Sequence, residues 1–154
     1  MIAIIDYHMG NLRSVQKALE HVGAEAQIVS TPEAITAAPK VVLPGVGAFA
    51  DGMMYLQRLG LIGPIHSFLS RGRPFLGICL GMQLLFEHSQ EDAPSPDQPL
   101  AGLAILPGSV ERFGADQGRC GCGVRLKVPH MGWNTISWER SDPMLRGVAQ
   151  HSAV

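Results

Sequence analysis

Phe75-Leu76-Gly77-Ile78-Cys79-Leu80-Gly81-Met82-Gln83 sets a cysteine between two glycines at the junction of an expected strand and an expected helix. Pro74 to Ile78 has the length and apolar character of a short buried strand. Leu80 to His88 is expected to be helical, so Cys79 falls on the sharp turn that joins the two. Gly77 and Gly81 leave that turn uncrowded. A thiol at the start of a helix meets unpaired backbone N–H groups and the positive end of the helix dipole, which favour the reactive thiolate. The same cysteine also fits a small buried core position, where free cysteines are most often found.

Upstream of this turn, short apolar strands alternate with helical patterns, the signature of parallel βα units whose sheet is covered on both faces. Ile2 to Asp6 is the first strand. Asn11 is placed to cap a helix from Leu12 to His21, in which Leu12, Val15, Leu19 and Val22 recur at helical spacing before Gly23 ends it. Ala26 to Val29 is the second strand. Thr31-Pro32-Glu33 opens a short helix with a capping hydroxyl and a proline at the first helical position, and Val41 to Leu43 is the third strand. Helices are expected over Phe49 to Leu59 and Ile62 to Arg71. Downstream, Glu91 to Pro99 is polar and proline-rich and reads as a surface loop. Short strands at Ala104 to Leu106, Val110 to Phe113, Val124 to Val128 and Thr135 to Trp138 suggest antiparallel pairs added to the main sheet.

A length of 154 residues fits one domain with one core. The net charge of -1 provides no electrostatic footprint for nucleic acid or an anionic membrane surface. No apolar run approaches the roughly 18 residues of a membrane span, and Met1 to Asp6 lacks the basic start of a signal peptide. Three cysteines, two of them separated by one residue, do not make a disulfide framework and fit a reducing cytoplasm. Cys120-Gly121-Cys122 has neither the spacing nor the second pair of a zinc site, so no metal is expected.

A cysteine that attacks a carbonyl needs donors aimed at the oxygen on which charge develops. One is the N–H of Leu80, next in the chain. A second lies in Pro44-Gly45-Val46-Gly47, a glycine-rich loop after the neighbouring strand, at the end of a parallel sheet where ligands bind. Viewed alone, that loop is also an ordinary turn punctuated by glycines.

Gly77 to Gln83 together with Pro44-Gly45-Val46-Gly47 resembles the class I, triad-type glutamine amidotransferases. Two further stretches, Asp6-Tyr7-His8-Met9-Gly10-Asn11-Leu12 and Val128-Pro129-His130-Met131-Gly132-Trp133-Asn134, resemble the glutaminase subunits of imidazole glycerol phosphate synthases, which serve histidine biosynthesis. The resemblance runs along essentially the whole chain. It implies a flavodoxin-like, doubly wound, mainly parallel sheet with helices on both faces and added antiparallel strands, forming a single amidotransferase domain over residues 1–154.

It further implies that Cys79 forms a γ-glutamyl thioester, releasing ammonia, with water then liberating glutamate and no cofactor taking part. Val46 and Leu80 would supply oxyanion N–H groups, Val46 after a peptide rotation. Gly45, Gly47 and Gln83 would hold the glutamine. Asn11, His130, Met131 and Trp133 would face a cyclase partner, a (βα)₈ barrel bound as a heterodimer. Asn11 is equally suited to capping its helix, and Trp133 to a half-buried strand position.

The family triad is Cys-His-Glu, with its histidine and glutamate in a C-terminal Pro-Glu-containing stretch that residues 1–154 do not contain. His130 belongs to the docking segment. His8, His21, His66, His88 and His151 are read as surface, loop or core histidines. The chain is therefore expected to stop before its catalytic C-terminal segment and to have little glutaminase activity by itself, since a cysteine nucleophile needs an oriented base. The competing functions are a catalytically inactive scaffold or redox-responsive cysteine protein of the same architecture, and a different hydrolase built on a nucleophile elbow.

Overall fold

The computed structural model describes residues 1–91, 93–95, 97–112 and 132–153. The chain divides into two compact units, Met1–Arg112 and Phe113–Val154.

The first unit is built on four parallel strands: β1 (Ile2–Ile5), β2 (Ala26–Val29), β3 (Lys40–Leu43) and β4 (Phe75–Gly77), in the order β2-β1-β3-β4. Ile2 lies opposite both Ala26 and Lys40, and Val42 opposite Leu76, so the C-terminal ends of β1, β3 and β4 come together at one edge. Each strand is a short apolar run, the pattern of a sheet packed on both faces. The crossovers are helical. α1 (Leu12–His21) joins β1 to β2, α2 (Pro32–Ala37) joins β2 to β3, and α3 (Phe49–Arg58) and α4 (Ile62–Ser70) join β3 to β4.

Local chemistry fixes where these helices start. The Asn11 side-chain oxygen accepts from the Ser14 N–H at 3.3 Å, and the Thr31 hydroxyl from the Ala34 N–H at 3.3 Å, with Pro32 at the first helical position as expected. α3 lacks a side-chain cap from its own flank. Instead Glu91, 42 residues further on, accepts from the Phe49 N–H at 3.0 Å and sets a carboxylate at the positive end of that helix.

One face of the sheet carries the core. Ala3, Ile5 and Tyr7 from the β1 line and Val41 and Leu43 from β3 pack against Ile35, Phe49, Leu56, Ile65 and Phe68 of α2, α3 and α4. The alternation follows from the two-residue period of a strand. α1 lies along the opposite face, with none of its residues fully buried.

After β4 the chain departs from expectation. The helix read over Leu80 to His88 is a single turn, α5 (Leu80–Gln83), and Phe86–Ser89 is a strand, β5. β5 pairs in parallel with β7 (Leu106–Val110) and antiparallel with β6 (Leu100–Ala101), forming a second, three-stranded sheet. The run Leu84-Leu85-Phe86 satisfies a buried helix and a buried strand equally. Its fate is decided by a distant partner, with Leu103 N–H bonding Leu84 C=O at 2.8 Å and Ile105 N–H bonding Leu85 C=O at 2.9 Å. The strand expected over Ala104 to Leu106 begins at Leu106, and Val110 ends it.

In the second unit, among the described residues, the strand expected over Thr135 to Trp138 is reduced to one antiparallel bridge between Thr135 and Ala153. The Gln150 side chain bonds both main-chain groups of Trp138, at 3.3 and 2.6 Å. A short turn, Pro143–Leu145, is capped by Asp142. Cys120, Cys122, His130, Met131 and the strand expected over Val124 to Val128 lie outside the described residues. Among the described residues no helix is long and apolar enough to cross a membrane.

Candidate active site

Three loops meet at the C-terminal edge of the first sheet: Tyr7 to Gly10 after β1, Pro44 to Gly47 after β3, and Ile78 to Gly81 after β4. The last is the elbow. Cys79 has φ 53° and ψ −117°, a region that costs a non-glycine residue on the order of 1–3 kcal/mol and persists only where the surroundings enforce it. Those surroundings are identifiable. The Ile78 N–H bonds the Leu43 carbonyl at 3.0 Å, which prolongs the β3–β4 pairing up to the turn. On the far side the Gly81 N–H bonds Ile78 C=O at 3.0 Å, and Met82 and Gln83 bond Cys79 C=O at 3.0 and 3.1 Å, closing α5 at once. Cys79 is the residue left between the two sets of bonds, with its side chain exposed.

Close main-chain approach explains two of the glycines. A side chain on Gly81 would overlap the Leu43 carbonyl, and one on Gly45 would meet the Tyr7 hydroxyl, the Gly81 nitrogen (2.8 Å) and the Leu80 Cβ (2.9 Å). The glycine-rich loop therefore sits directly against the elbow, as the sequence led us to expect. Pro44 and Gly45 are buried, whereas Val46 and Gly47 are exposed. Among the described residues, no acceptor takes the N–H of Val46, Gly47 or Leu80. Free amides in the loops that meet beside an exposed thiol are donors available to a developing oxyanion. α5 contributes its first-turn amides but, at four residues, not the summed dipole of the longer helix expected from sequence.

Gln83, half-buried on α5, belongs to this edge. Asn11 is exposed, with its side-chain oxygen engaged in capping α1. Trp133, in the second unit, is 86% exposed and so does not occupy the half-buried position considered above.

Sequence reasoning missed Tyr7. Its side chain is fully buried on the core face, and its hydroxyl has no hydrogen-bond partner among the described residues. Burial holds the phenol neutral well above the usual tyrosine range, and the charge of the nearby Cys79 adds to that effect. The available signal was the alternation Ala3, Ile5, Tyr7, which directs a residue with a polar tip into the core at a strand end.

Comparison with known proteins follows the same line. Residues 3–154 match the family model for glutamine amidotransferase class-I. The chain belongs to this family. Among curated relatives of this amidotransferase, the imidazole glycerol phosphate synthase subunit HisH of Moorella thermoacetica is 50% identical over 96% of this chain and 63% of its own. That of Syntrophotalea carbinolica is 49% identical over 100% of this chain and 71% of its own. That of Geobacter metallireducens is 53% identical over 90% and 63%. The chain thus spans just under two-thirds of the length of the Moorella relative. A crystal structure of a glutamine amidotransferase matches with a TM-score of 0.58 over 73% of this chain and 57% of that one, at 23% identity, a likeness of fold.

Proposed function

We propose that this amidotransferase is the glutaminase subunit of an imidazole glycerol phosphate synthase, acting in the cytoplasm in histidine biosynthesis. The Cys79 sulfur attacks the side-chain amide carbon of glutamine. A C–S bond forms, the C–N bond breaks, and the amide nitrogen takes up the proton given up by the thiol and leaves as ammonia. Water then cleaves the thioester, giving glutamate and the free thiol. Val46 and Leu80 donate their N–H groups to the oxyanion, Gly45 and Gly47 let main chain approach the substrate, and Gln83 helps to hold it. Ammonia passes to a cyclase, a (βα)₈ barrel that makes imidazole glycerol phosphate and aminoimidazole carboxamide ribotide. Asn11, His130, Met131 and Trp133 face that partner. Both compact units belong to one amidotransferase domain, and the triad histidine and glutamate are assigned to no residue of 1–154.

The observation that carries the reading is Cys79 itself, exposed at a strained φ beside a loop in which, among the described residues, the Val46 and Gly47 N–H groups have no acceptor. The likeness to relatives named as imidazole glycerol phosphate synthase subunits supports the choice of enzyme. In the full-length polypeptide with its barrel partner, Cys79→Ala is expected to abolish ammonia release from glutamine while partner binding stays within about twofold. Retention of hydrolysis by Cys79→Ala would remove the nucleophile assignment.

A further inference from the structure

Tyr7 presents a problem of its own. Phenylalanine would fill the same buried space without stranding a hydroxyl, which stabilises nothing when it has no partner. The hydroxyl is also not lost in a side-chain core: its neighbour is the main chain of Gly45, in the small space shared with Leu80 and the Gly81 nitrogen. The Gly81 N–H is already committed to Ile78 C=O at 3.0 Å. Among the described residues, what Tyr7 lacks is an acceptor.

Peptide planarity identifies one. The Gly45–Val46 peptide is a single rigid unit in which C=O and N–H point in opposite directions. A rotation that turns the Val46 N–H outward turns the Gly45 carbonyl the opposite way, and the Tyr7 hydroxyl lies beside Gly45 to receive it. In the conformation seen, the hydroxyl is unbonded, so the carbonyl is not directed at it. Gly45, which bounds that peptide on one side and has no Cβ, eases its rotation. A carbonyl turned into the interior needs a donor, and one is already waiting there.

We propose that Tyr7 is a positioning residue of the oxyanion loop, its hydroxyl donating to the Gly45 carbonyl in the orientation that presents the Val46 N–H to the acyl oxygen on Cys79. This rests on the glutaminase reading above. Tyr7 never touches the substrate. Its unspent bond is held for the conformation that the reaction requires, and the resting conformation is correspondingly less stable than it would be with phenylalanine.

The test uses Tyr7→Phe in the full-length polypeptide with its barrel partner. We expect kcat for glutamine hydrolysis to fall roughly 10- to 30-fold, the effect of one hydrogen bond made only in the transition state. KM should stay within about twofold, alkylation of Cys79 by iodoacetamide should be unchanged, and the melting temperature should hold or rise. Incorporating 4-aminophenylalanine at position 7, which restores a donor, should recover most of kcat, whereas 4-fluorophenylalanine should not. An unchanged kcat in Tyr7→Phe overturns the proposal, as does failure of the amino group to rescue. A parallel loss of alkylation also overturns it, because Tyr7 would then act on the elbow rather than the loop. If wild type releases no ammonia, or Cys79→Ala still does, it is the glutaminase reading that fails.

Discussion

The two faces of the four-stranded sheet are built from similar residues but are not similarly covered. On the face turned to α2, α3 and α4, Ile5, Leu43, Phe68 and Leu80 are all at most 1% exposed. On the face turned to α1, Ile4 and Val42 are buried, yet Leu76 and Ile78 are 41% and 36% exposed. A shallow apolar groove of about 280 Å³ runs there between Val15 and Leu19 of α1 and Val42, Leu76 and Ile78 of the sheet. Apolar sequence alone does not distinguish the faces. The number of helices laid on each does, because a strand residue becomes core only when a second layer reaches it.

The sharpest way to break this comparison is to truncate one leucine on each face. Leu43 and Leu76 lie on adjacent paired strands, one residue out of step, and so point to opposite sides. Leu43→Ala opens a cavity inside the close-packed layer and is expected to cost about 2–5 kcal/mol in urea unfolding. Leu76→Ala removes a half-exposed side chain, and we expect a loss of about 1 kcal/mol or less. Equal losses would mean that the α1 face is as tightly covered as the core face.

The faces meet at Cys79. Ile78 lines the groove beside α1, whereas Leu80 belongs to the core cluster, so the main chain crosses the sheet edge within one residue. That crossing demands the positive φ of Cys79 and leaves its side chain directed to neither layer. Strain and exposure therefore have one cause. Glycine adopts this conformation freely and alanine does not, so Cys79→Gly should be more stable than Cys79→Ala by about 1 kcal/mol or more, although both lose the thiol. A calorimetric comparison of the two variants checks it. Equal melting temperatures would mean that the turn relaxes once sulfur is removed.

What the sequence made legible follows the same division. β1 to β4 and α1 to α4 were readable because each depends on its own period, its caps and its glycines: Asn11, Thr31 and Pro32 do locally what their residue types favour. The elbow was readable because Gly77-Ile78-Cys79-Leu80-Gly81 is a local steric requirement. The fate of Phe86–Ser89 was not, since its pairing with Leu106–Val110 bridges about twenty residues and the run Leu84-Leu85-Phe86 suits either structure. Tyr7 stands inside a recognisable motif, but its importance depends on Gly45, which only the fold brings to it.

Tyr7 also gives the core face a titration that the groove face, as described, lacks. An unfolded tyrosine loses its proton near pH 10. In the fold, burial and then the Cys79 charge hold the phenol neutral to higher pH. Below about pH 10 both states keep the proton, so Tyr7 contributes no pH dependence. Above it the unfolded chain releases the proton while the folded chain retains it, and stability falls by up to about 1.4 kcal/mol per pH unit. Urea midpoints of wild type and Tyr7→Phe should therefore differ by a constant amount up to about pH 10 and diverge beyond it, to the advantage of phenylalanine. In a Cys79→Ala background the divergence should persist, because desolvation is the larger cause and remains in place. Its disappearance there would make the thiolate, rather than the closed core face, the origin of the effect.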